Sequence, residues 1–259
     1  MLRAAERAFV LAGDCLARIP DAVTNAGGKF DLVYVDPPFN AGGQRSARRG
    51  KGERVTGAPA YIDAWGGLPA FLAMLGPRLK AMRDAMTDEG CLFLHLDYRT
   101  VHDAKVLCDG VFGRRNFRGE IAWIPGNGAR GTRSPSVTHQ TILIYSRGQE
   151  MIWNARDAVL REPFAETSRA MHFRNLDAEG RRYRERVIAG KKYRYYEDEG
   201  RKLGSVWADC PAMSANTPLT QETSGYPTQK PLKLLDRIVR AASTEDSRVL
   251  DPMCGSGTT

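Results

Sequence analysis

The chain has 259 residues, of which 42% are hydrophobic and 26% charged, the composition of an ordinary soluble globular protein. It is long enough for one cored domain, with or without a large insertion. No apolar run reaches membrane-spanning length and the N-terminus has no long apolar signal segment, which predicts a cytoplasmic protein rather than a membrane or secreted one. The net charge of +8 favours a polyanionic partner such as nucleic acid, although many basic proteins bind none.

Three short apolar runs each end in an acidic residue and a turn. The runs, with the acids that follow them, are residues 8–13 with Asp14, 31–35 with Asp36, and 248–250 with Asp251. Runs of this kind, alternating with helical patterns, predict parallel strands of an α/β sheet. Ligands of such sheets bind beyond the carboxyl ends of the strands, where the three acids are expected to lie.

Further strands and two helices complete the predicted core. The additional strands are predicted over residues 91–96, 121–124 and 141–145, the last two as a pair. Apolar residues recur at helical spacing from Phe71 to Met86, where Pro77 should kink the helix or start a new one. A second amphipathic helix is predicted after Pro231, which suits a first helical turn.

Residues 150–225 differ in character from the rest of the chain. Between Arg161 and Lys202 there are twelve Lys or Arg and eight Asp or Glu, a net charge of +4, and aromatic residues lie among them. Helical periodicity is poor, so we interpret the stretch as an inserted module rich in strands and loops. A solvated charged surface is the alternative that its composition leaves open.

The strongest chemical signal is the sequence Asp36-Pro37-Pro38-Phe39 at the end of a predicted strand. Two prolines fix an extended turn and remove two N–H donors, so the turn offers a carboxylate and bare carbonyl oxygens. A rigid site that only accepts hydrogen bonds suits an exocyclic amine on a heterocycle. Asp36 and the Pro37 carbonyl would each accept an amine hydrogen, and Phe39 would stack on a base that has left its helix. The simpler alternative is a proline-rich turn with an aspartate cap.

A second motif runs from Asp251 to Thr259 (DPMCGSGTT). Its glycines, Gly255 and Gly257, follow a predicted strand and permit a close approach of the backbone to a ligand. The same spacing occurs in dehydrogenases and in simple turns, and the chain ends before a third glycine could identify a dinucleotide site.

In this order, the Asp36 motif, the segment from Tyr226 to Pro231 (YPTQKP) and the Asp251 motif resemble the permuted β class of DNA amino-methyltransferases, which modify adenine N6 or cytosine N4. Gly13-Asp14-Cys15 and the pair Trp207 and Asp209 match as well, so the resemblance covers nearly the whole chain. It implies an α/β, Rossmann-like, S-adenosylmethionine-dependent methyltransferase fold that is circularly permuted. The implied division is a catalytic core part over 1–149, a target-recognition insertion over 150–225, and a cofactor-binding part over 226–259.

The resemblance also assigns site residues. The implied catalytic positions are Asp36, Pro37, Pro38 and Phe39. The implied cofactor positions are Asp14, Cys15, Asp251, Pro252, Met253, Gly255, Ser256, Gly257, Thr258, Thr228, Gln229 and Lys230. Of these, Asp14 would lie near the cofactor adenine, Asp251 near its methionine part, and Lys230 near its amino-acid end.

The implied activity is direct in-line transfer of methyl to adenine N6 of double-stranded DNA, after base flipping. Asp-Pro-Pro rather than Ser-Pro-Pro favours adenine, while cytosine-N4 transfer or an inactive DNA-binding remnant are the alternatives. A nicotinamide-dependent dehydrogenase explains neither the Asp36 motif nor the basic insertion. A restriction endonuclease and a second copy of the chain are further partners to test. The scattered cysteines and histidines predict no metal site.

Two further expectations concern the segment after the Asp36 motif and the end of the chain. Arg45, Arg48, Arg49 and Lys51 lie in a glycine-rich stretch after the catalytic turn and are predicted to form a mobile loop that closes on DNA phosphates, with simple disorder as the alternative. The family pattern continues with a helix and a strand, so about 30 residues are expected to follow Thr259, and their loss would weaken cofactor binding.

Overall fold

The chain divides into two compact units, Met1–Trp153 with Ser205–Thr259, and Asn154–Gly204. The computed structural model describes residues 8–40, 42–49, 53–126, 128, 131–213, 222, 224, 226 and 228–259, and for residues 44–49 and 53–62 it describes the backbone alone. Within these residues, no helix combines the length and the apolar character needed to cross a membrane.

Helices and strands follow one another along the described residues, with several strands in succession between some of the helices. The helices are α1 (Cys15–Asn25), α2 (Leu68–Asp84), α3 (Val101–Phe112), α4 (Glu166–His172) and α5 (Leu232–Ala242). The strands are β1 (Phe30–Val35), β2 (Gln44–Arg49), β3 (Glu53–Ile62), β4 (Met86–Leu96), β5 (Phe117–Trp123), β6 (Gln140–Ser146), β7 (Arg161–Glu162), β8 (Asn175–Leu176), β9 (Arg182–Ile188), β10 (Lys191–Tyr196), β11 (Arg201–Lys202), β12 (Val206–Trp207) and β13 (Val249–Leu250).

The larger unit is built on a six-stranded sheet of order β12-β5-β6-β4-β1-β13. Strand β1 runs parallel to both of its neighbours, β4 and β13, whereas β6 runs antiparallel to β4 and β5. Strand β13 therefore pairs with β1 although most of the chain separates them. Because β4, β1 and β13 are parallel, the residues that follow these three strands emerge at one edge of the sheet.

Burial on both faces explains why the second apolar run becomes a central strand. Val33 and Val35 join a core cluster that includes Phe71 and Leu75 of α2, and none of the four side chains is exposed to solvent. Leu32 and Tyr34 point to the opposite face and are equally buried. Such near-continuous apolar runs are typical of parallel strands covered on both faces. Burying each of these side chains contributes about 1.5–3 kcal/mol.

The predicted α/β class and most predicted elements are confirmed. Strands form over the expected runs at residues 31–35, 91–96 and 248–250, and β5 and β6 form the expected pair. The amphipathic helix after Pro231 is α5, with Pro231 as its N-cap rather than a residue of the first turn.

The structure differs from the predictions at three segments. Residues 8–13 form no strand, and Val10 is 88% exposed, since apolar side chains alone do not make a strand without a neighbouring strand to pair with. Helix α2 continues through Pro77 instead of restarting there, and Met86 begins β4 rather than ending the helix. The stretch predicted to be a mobile loop contains β2 and β3, which pair in antiparallel fashion.

The smaller unit contains the three-stranded sheet β10-β9-β8 and the two-stranded sheet β11-β7. Its apolar centre includes Phe164 and Phe173, whose ring centres lie 4.6 Å apart. The guanidinium group of Arg184 lies 5.1 Å from each ring, so an arginine stem helps to cover this small core. Strands β9 and β10 form a hairpin whose turn residues, Ala189 and Gly190, both have positive φ, the geometry of a tight two-residue hairpin turn.

Candidate active site

Acidic residues gather at the carboxyl edge of the central parallel strands. Asp36 follows β1 and Asp251 follows β13, as the sequence predicted for these two acids. Asp97 follows β4 and joins them at this edge, 7% exposed, although sequence reasoning did not single it out. The signal was present, because Asp97 comes directly after the predicted strand 91–96 in the same pattern of apolar run and acid.

Asp36 is partly buried, and its two carboxyl oxygens have different surroundings. Its Oδ2 atom forms an ion pair with Nζ of Lys230, which is itself 7% exposed. Its Oδ1 atom is buried and has no hydrogen-bond partner among the described residues. Burial raises the pKa of Asp36, the ammonium group of Lys230 lowers it, and the nearby carboxyl group of Asp63 raises it. A buried acceptor without a donor is costly, so Oδ1 is suited to receive one from a ligand.

The backbone turn that carries Asp36 is held from both ends. Pro37 is buried, and Phe39 packs against the core with its ring centre 6.0 Å from the ring of His95. Asn40 has a φ of +56°, a left-handed conformation that asparagine tolerates better than most residues. The side-chain oxygen of Asn40 accepts a hydrogen bond of 2.9 Å from the backbone N–H of Trp65. The turn therefore has little freedom to move Asp36 or Phe39.

His95 lies beneath this turn and was also missed by sequence reasoning. Its Nδ1 atom lies 2.9 Å from the hydroxyl oxygen of Tyr34, and its ring packs edge-on against Trp123 at 5.3 Å. Burial lowers the pKa of His95 well below its ordinary value, and the charge of Lys230 lowers it further, so the imidazole is neutral at pH 7. A lone histidine in an apolar strand gives no sequence signal for its contact with Tyr34, because that contact depends on strands β1 and β4 being neighbours.

The loop after β13 surrounds a second buried carboxylate. Asp251 accepts hydrogen bonds from the backbone N–H of Met253 at 3.1 Å and from the hydroxyl of Thr259 at 2.6 Å. Burial raises the pKa of Asp251 to about 6; the Thr259 and Met253 hydrogen bonds lower it, and Asp36 raises it.

Two glycines of this loop have left-handed backbone conformations, with φ of +51° at Gly255 and +73° at Gly257. A Cβ atom at Gly255 would lie 3.0 Å from the ring of Tyr226, whereas a Cβ atom at Gly257 would meet no atom within 4 Å. Gly257 therefore borders open space where a ligand could approach the backbone. Pro252 and Met253 are partly buried, and Ser256 and Thr258 hold each other through a 2.6 Å hydroxyl contact.

The segment before α5 places Lys230 next to Asp36. Thr228 has a φ of +65°, and its carbonyl oxygen lies 3.4 Å from Nζ of Lys230. Gln229 is used locally, since its side-chain oxygen accepts hydrogen bonds from the N–H and hydroxyl of Ser224 at 2.8 and 2.9 Å. Of the three residues that the resemblance assigned to the cofactor here, Lys230 contacts the predicted catalytic turn.

An ion pair fixes α5 behind this segment. Arg237 is 4% exposed and donates two hydrogen bonds to the carboxylate of Asp209, at 2.8 and 2.6 Å. Its guanidinium carbon lies 5.0 Å from the ring centre of Trp207. Hydrogen bonds from Arg237 hold the pKa of Asp209 far below its ordinary value. Trp207 and Asp209, which match the family pattern in the sequence, thus anchor the helix that follows Lys230. The sequence did not indicate this role.

Asp14 and Cys15 lie in a different set of contacts. The side chain of Asp14 caps α1 by accepting a 2.8 Å hydrogen bond from the N–H of Leu16, and it forms an ion pair with Arg78 of α2. Burial raises the pKa of the Cys15 thiol, and Arg78 lies beside it. Among the described residues, no hydrogen bond or ion pair links Asp14 or Cys15 to Asp36, Asp251 or Lys230. Their assignment to the cofactor stays a prediction.

The basic residues predicted to contact DNA follow the predicted catalytic turn. The backbone positions of Arg45, Arg48 and Arg49 lie on β2, and Lys51 falls outside the described residues. Within the part of the chain that the structure describes, no group of three or more His, Cys, Asp or Glu side chains is arranged to hold a metal ion.

Comparison with known proteins finds similarity to DNA methyltransferases. The family model N6_N4_Mtase, described as DNA methylase, matches residues 30–259. The type II methyltransferase M.EcaI of Enterobacter cloacae is 26% identical over 90% of this chain, and the chain spans 59% of its length. The DNA adenine methyltransferase YhdJ of Escherichia coli (strain K12) is 24% identical over 98% of this chain and 74% of its own length.

The fold is shared with TTHA0409 of Thermus thermophilus, solved in complex with S-adenosyl-L-methionine. The TM-score is 0.50 at 18% sequence identity, covering 96% of this chain and 81% of that one. This likeness shows the methyltransferase fold that the resemblance implied. Since the family model covers most of the chain, including the strand before Asp36 and the loop after Asp251, the chain belongs to the N6_N4_Mtase family of DNA methylases.

Proposed function

We propose that this protein transfers a methyl group from S-adenosylmethionine to the N6 amino group of adenine in double-stranded DNA. The observation that carries the proposal is the buried Asp36 carboxylate, which has one oxygen on Lys230 and the other without a partner among the described residues. Membership of the DNA methylase family supplies the substrate class. The type II methyltransferase M.EcaI and the adenine methyltransferase YhdJ are relatives that support it.

The acceptor side of the reaction follows from the Asp36 turn. The amine of adenine is a weak nucleophile because its lone pair is delocalised into the ring. An ionised Asp36 that accepts one amine hydrogen draws the lone pair toward the nitrogen, and the Pro37 carbonyl is proposed to accept the other. Phe39 offers an aromatic surface to a base flipped out of the duplex. Catalysis then rests on alignment and on acceptors that are already in place, without a covalent enzyme intermediate.

The loop after β13 fits the cofactor. Asp251 gives a buried negative charge close to Asp36, and Gly257 leaves the backbone open to a ligand. These features suit a cationic sulfonium compound with an amino-acid tail. When bound, S-adenosylmethionine supplies the methyl group, and its bond to sulfur breaks as the bond to the amine nitrogen forms. Asp251 and the loop from Gly255 to Gly257 would hold it, and the surplus amine proton passes to Asp36 or to water.

Adenine N6 is the proposed target rather than cytosine N4. The Asp-Pro-Pro sequence favours adenine, and the named activity of YhdJ supports the same choice. Attack by a cysteine on cytosine C5 is disfavoured, because burial raises the pKa of the Cys210 thiol to about 11 and keeps it protonated at pH 7.

The hairpin β9–β10 is proposed as the main DNA-reading element of the insertion. It carries six Lys or Arg and one acid, Glu185, whereas the acids at 197–199 follow β10 at the base of the hairpin. Arg186 and Lys191 near the tip are exposed, and no carboxylate among the described residues lies within ion-pair distance of them. Tyr193 adds an exposed aromatic ring. A two-stranded ribbon fits the major groove of B-DNA, where base edges can be read.

The proposed division into regions 1–149, 150–225 and 226–259 places this hairpin in the target-recognition part. The compact unit Asn154–Gly204 lies inside that second range. A restriction endonuclease partner and a homodimer stay predictions from the resemblance.

The test is methyl transfer from labelled S-adenosylmethionine to duplex DNA of mixed sequence, followed by digestion to nucleosides. We expect label in N6-methyladenine, and we expect Asp36→Asn to lower kcat by about 100-fold or more because a preorganised charged acceptor is lost. Cofactor binding by the same variant, measured by calorimetry, should change much less. Label in N4-methylcytosine would overturn the choice of base. A folded protein that binds DNA but transfers no label would favour the inactive remnant.

A further inference from the structure

Lys230 occupies a position that its family resemblance did not predict. Its ammonium group pairs with Oδ2 of Asp36, lies 3.4 Å from the carbonyl oxygen of Thr228, and sits 5.3 Å from the ring centre of Phe39. The resemblance assigned Lys230 to the amino-acid end of the cofactor. In the structure it contacts two residues of the predicted catalytic turn, Asp36 and Phe39.

The surroundings of Asp36 make this contact significant. Carboxyl groups approach from two other elements, Asp63 after β3 and Asp251 after β13. The hydroxyl group of Tyr34 on β1 is buried and neutral, and the imidazole of His95 on β4 is neutral as well. Lys230 forms the ion pair with Asp36, and its charge also acts on Asp251.

Such crowding opposes an ionised Asp36. Burial disfavours the charged form and raises the pKa of Asp36, a neighbouring carboxylate does the same, and the ammonium group works against both. A protonated carboxyl group donates a hydrogen through one of its oxygens and has less capacity to accept one. The proposed chemistry needs an acceptor, so it needs the charge that Lys230 supports.

We infer that Lys230 is a positioning residue that keeps Asp36 ionised and holds Oδ2, so that Oδ1 is left to accept a hydrogen of the target amine. The inference rests on the proposed function, since it deepens the account of the same site. The segment around Lys230 is built for this task. Gln229 ties it to Ser224, and Pro231 leads directly into α5, which the pair of Arg237 and Asp209 anchors.

The experiment compares Lys230→Met and Lys230→Arg with the wild type in single-turnover methyl transfer, at saturating cofactor and DNA, between about pH 5 and 9. For Lys230→Met we expect a rate loss of about tenfold or more at the acid end, with the acid limb of the profile displaced to higher pH, because an adjacent cation lowers a carboxyl pKa by about 1–3 units. Lys230→Arg keeps the charge and should restore most of the rate and the original limb. Circular dichroism reports whether each variant is folded.

A double variant separates this role from simple structural support. If Lys230 acts through Asp36, adding Lys230→Met to Asp36→Asn should cost little more than Asp36→Asn alone. A Lys230→Met profile that superimposes on the wild type, with only the KM for S-adenosylmethionine raised, would identify a cofactor ligand and overturn the inference.

A readout without catalysis keeps the inference apart from the proposed function. The titration of Asp36, followed by carbon NMR of labelled aspartate, should shift upward in Lys230→Met whether or not DNA is the substrate. An unchanged titration would overturn the inference even if methyl transfer to adenine is observed. Conversely, a shifted titration in a protein that methylates no DNA would leave the ion-pair coupling intact and reject the proposed function.

Discussion

At the scale of single residues, the site contains carboxyl groups whose ionisation is opposed by burial. Asp251 is held by Met253 and Thr259, yet burial raises its pKa to about 6, above the value of 3.8 for an ordinary aspartate. The folded protein therefore keeps a proton on Asp251 over a range in which the unfolded chain has released it. An ionised Asp251 lowers stability, and a ligand with positive charge would compensate.

Replacing Asp251 by asparagine should reveal this conflict. Because the folded-state pKa lies above the unfolded one, wild-type stability falls relative to Asp251→Asn as the pH rises from 3.8 through about 6, and the difference is then constant. We expect the variant to be about 2 kcal/mol more stable at pH 7 and to bind S-adenosylmethionine about tenfold or more weakly. Urea unfolding at several pH values and calorimetry measure the two effects. If the difference in stability between the variant and the wild type were the same at pH 5 and pH 7, the expected pH dependence would be contradicted.

At the scale of secondary-structure elements, α5 is positioned by one buried arginine. Arg237 is almost fully buried, and the carboxylate of Asp209 neutralises it while the ring of Trp207 lies beside its guanidinium group. Since Pro231 joins α5 directly to Lys230, any displacement of the helix should also displace the lysine from Asp36.

Asp209→Ala should therefore destabilise the protein and impair catalysis together. Removing the partner leaves a buried guanidinium group without its counter-charge, and we expect a loss of about 3 kcal/mol in the free energy of unfolding. The control is Lys233→Ala, which removes the exposed second partner of the same carboxylate and should cost less than about 1 kcal/mol. Urea denaturation compares the two variants. Equal losses would show that burial of Arg237 does not decide the energy of this contact.

At the scale of the whole molecule, positive charge exceeds negative charge, and the unit Asn154–Gly204 carries part of this excess. The net charge is +8, and within the described unit Asn154–Gly204 the tip of the hairpin β9–β10 is basic while acids lie at its base. Charge separated in this way favours contact with phosphates at one end of the hairpin.

The double variant Arg186→Gln, Lys191→Gln should bind duplex DNA more weakly and with a shallower salt dependence. Each lost phosphate contact lowers the slope of log affinity against log salt by about 0.9, so we expect a decrease of about 1 to 2. A matched control, Arg174→Gln with Lys202→Gln, removes two exposed cations of the same unit that lie outside the hairpin. Fluorescence anisotropy at several salt concentrations compares them. The same slope change in both variants would reduce the effect to net charge.

Local chemistry accounts for what the amino-acid sequence by itself determined. Apolar runs ending at Asp36 and Asp251 predicted neighbouring strand ends, and the structure pairs β1 with β4 and β13 as parallel strands. Proline and glycine positions predicted a rigid turn and an open loop, because their backbone preferences act without help from distant residues. Residues 8–13 had the same local pattern and formed no strand, which shows where local pattern stops being sufficient.

Tertiary structure alone decided the contacts across the chain. Lys230 meets Asp36 across 194 positions of sequence, and His95 meets Tyr34 across 61. These pairs depend on which strands are neighbours and on where α5 is anchored. Burial then changes the chemistry, since a lysine that would be solvated on a surface becomes the counter-charge of a buried carboxylate. The sequence could single out Asp36 as the predicted catalytic aspartate, but only the fold shows that Lys230 is its partner.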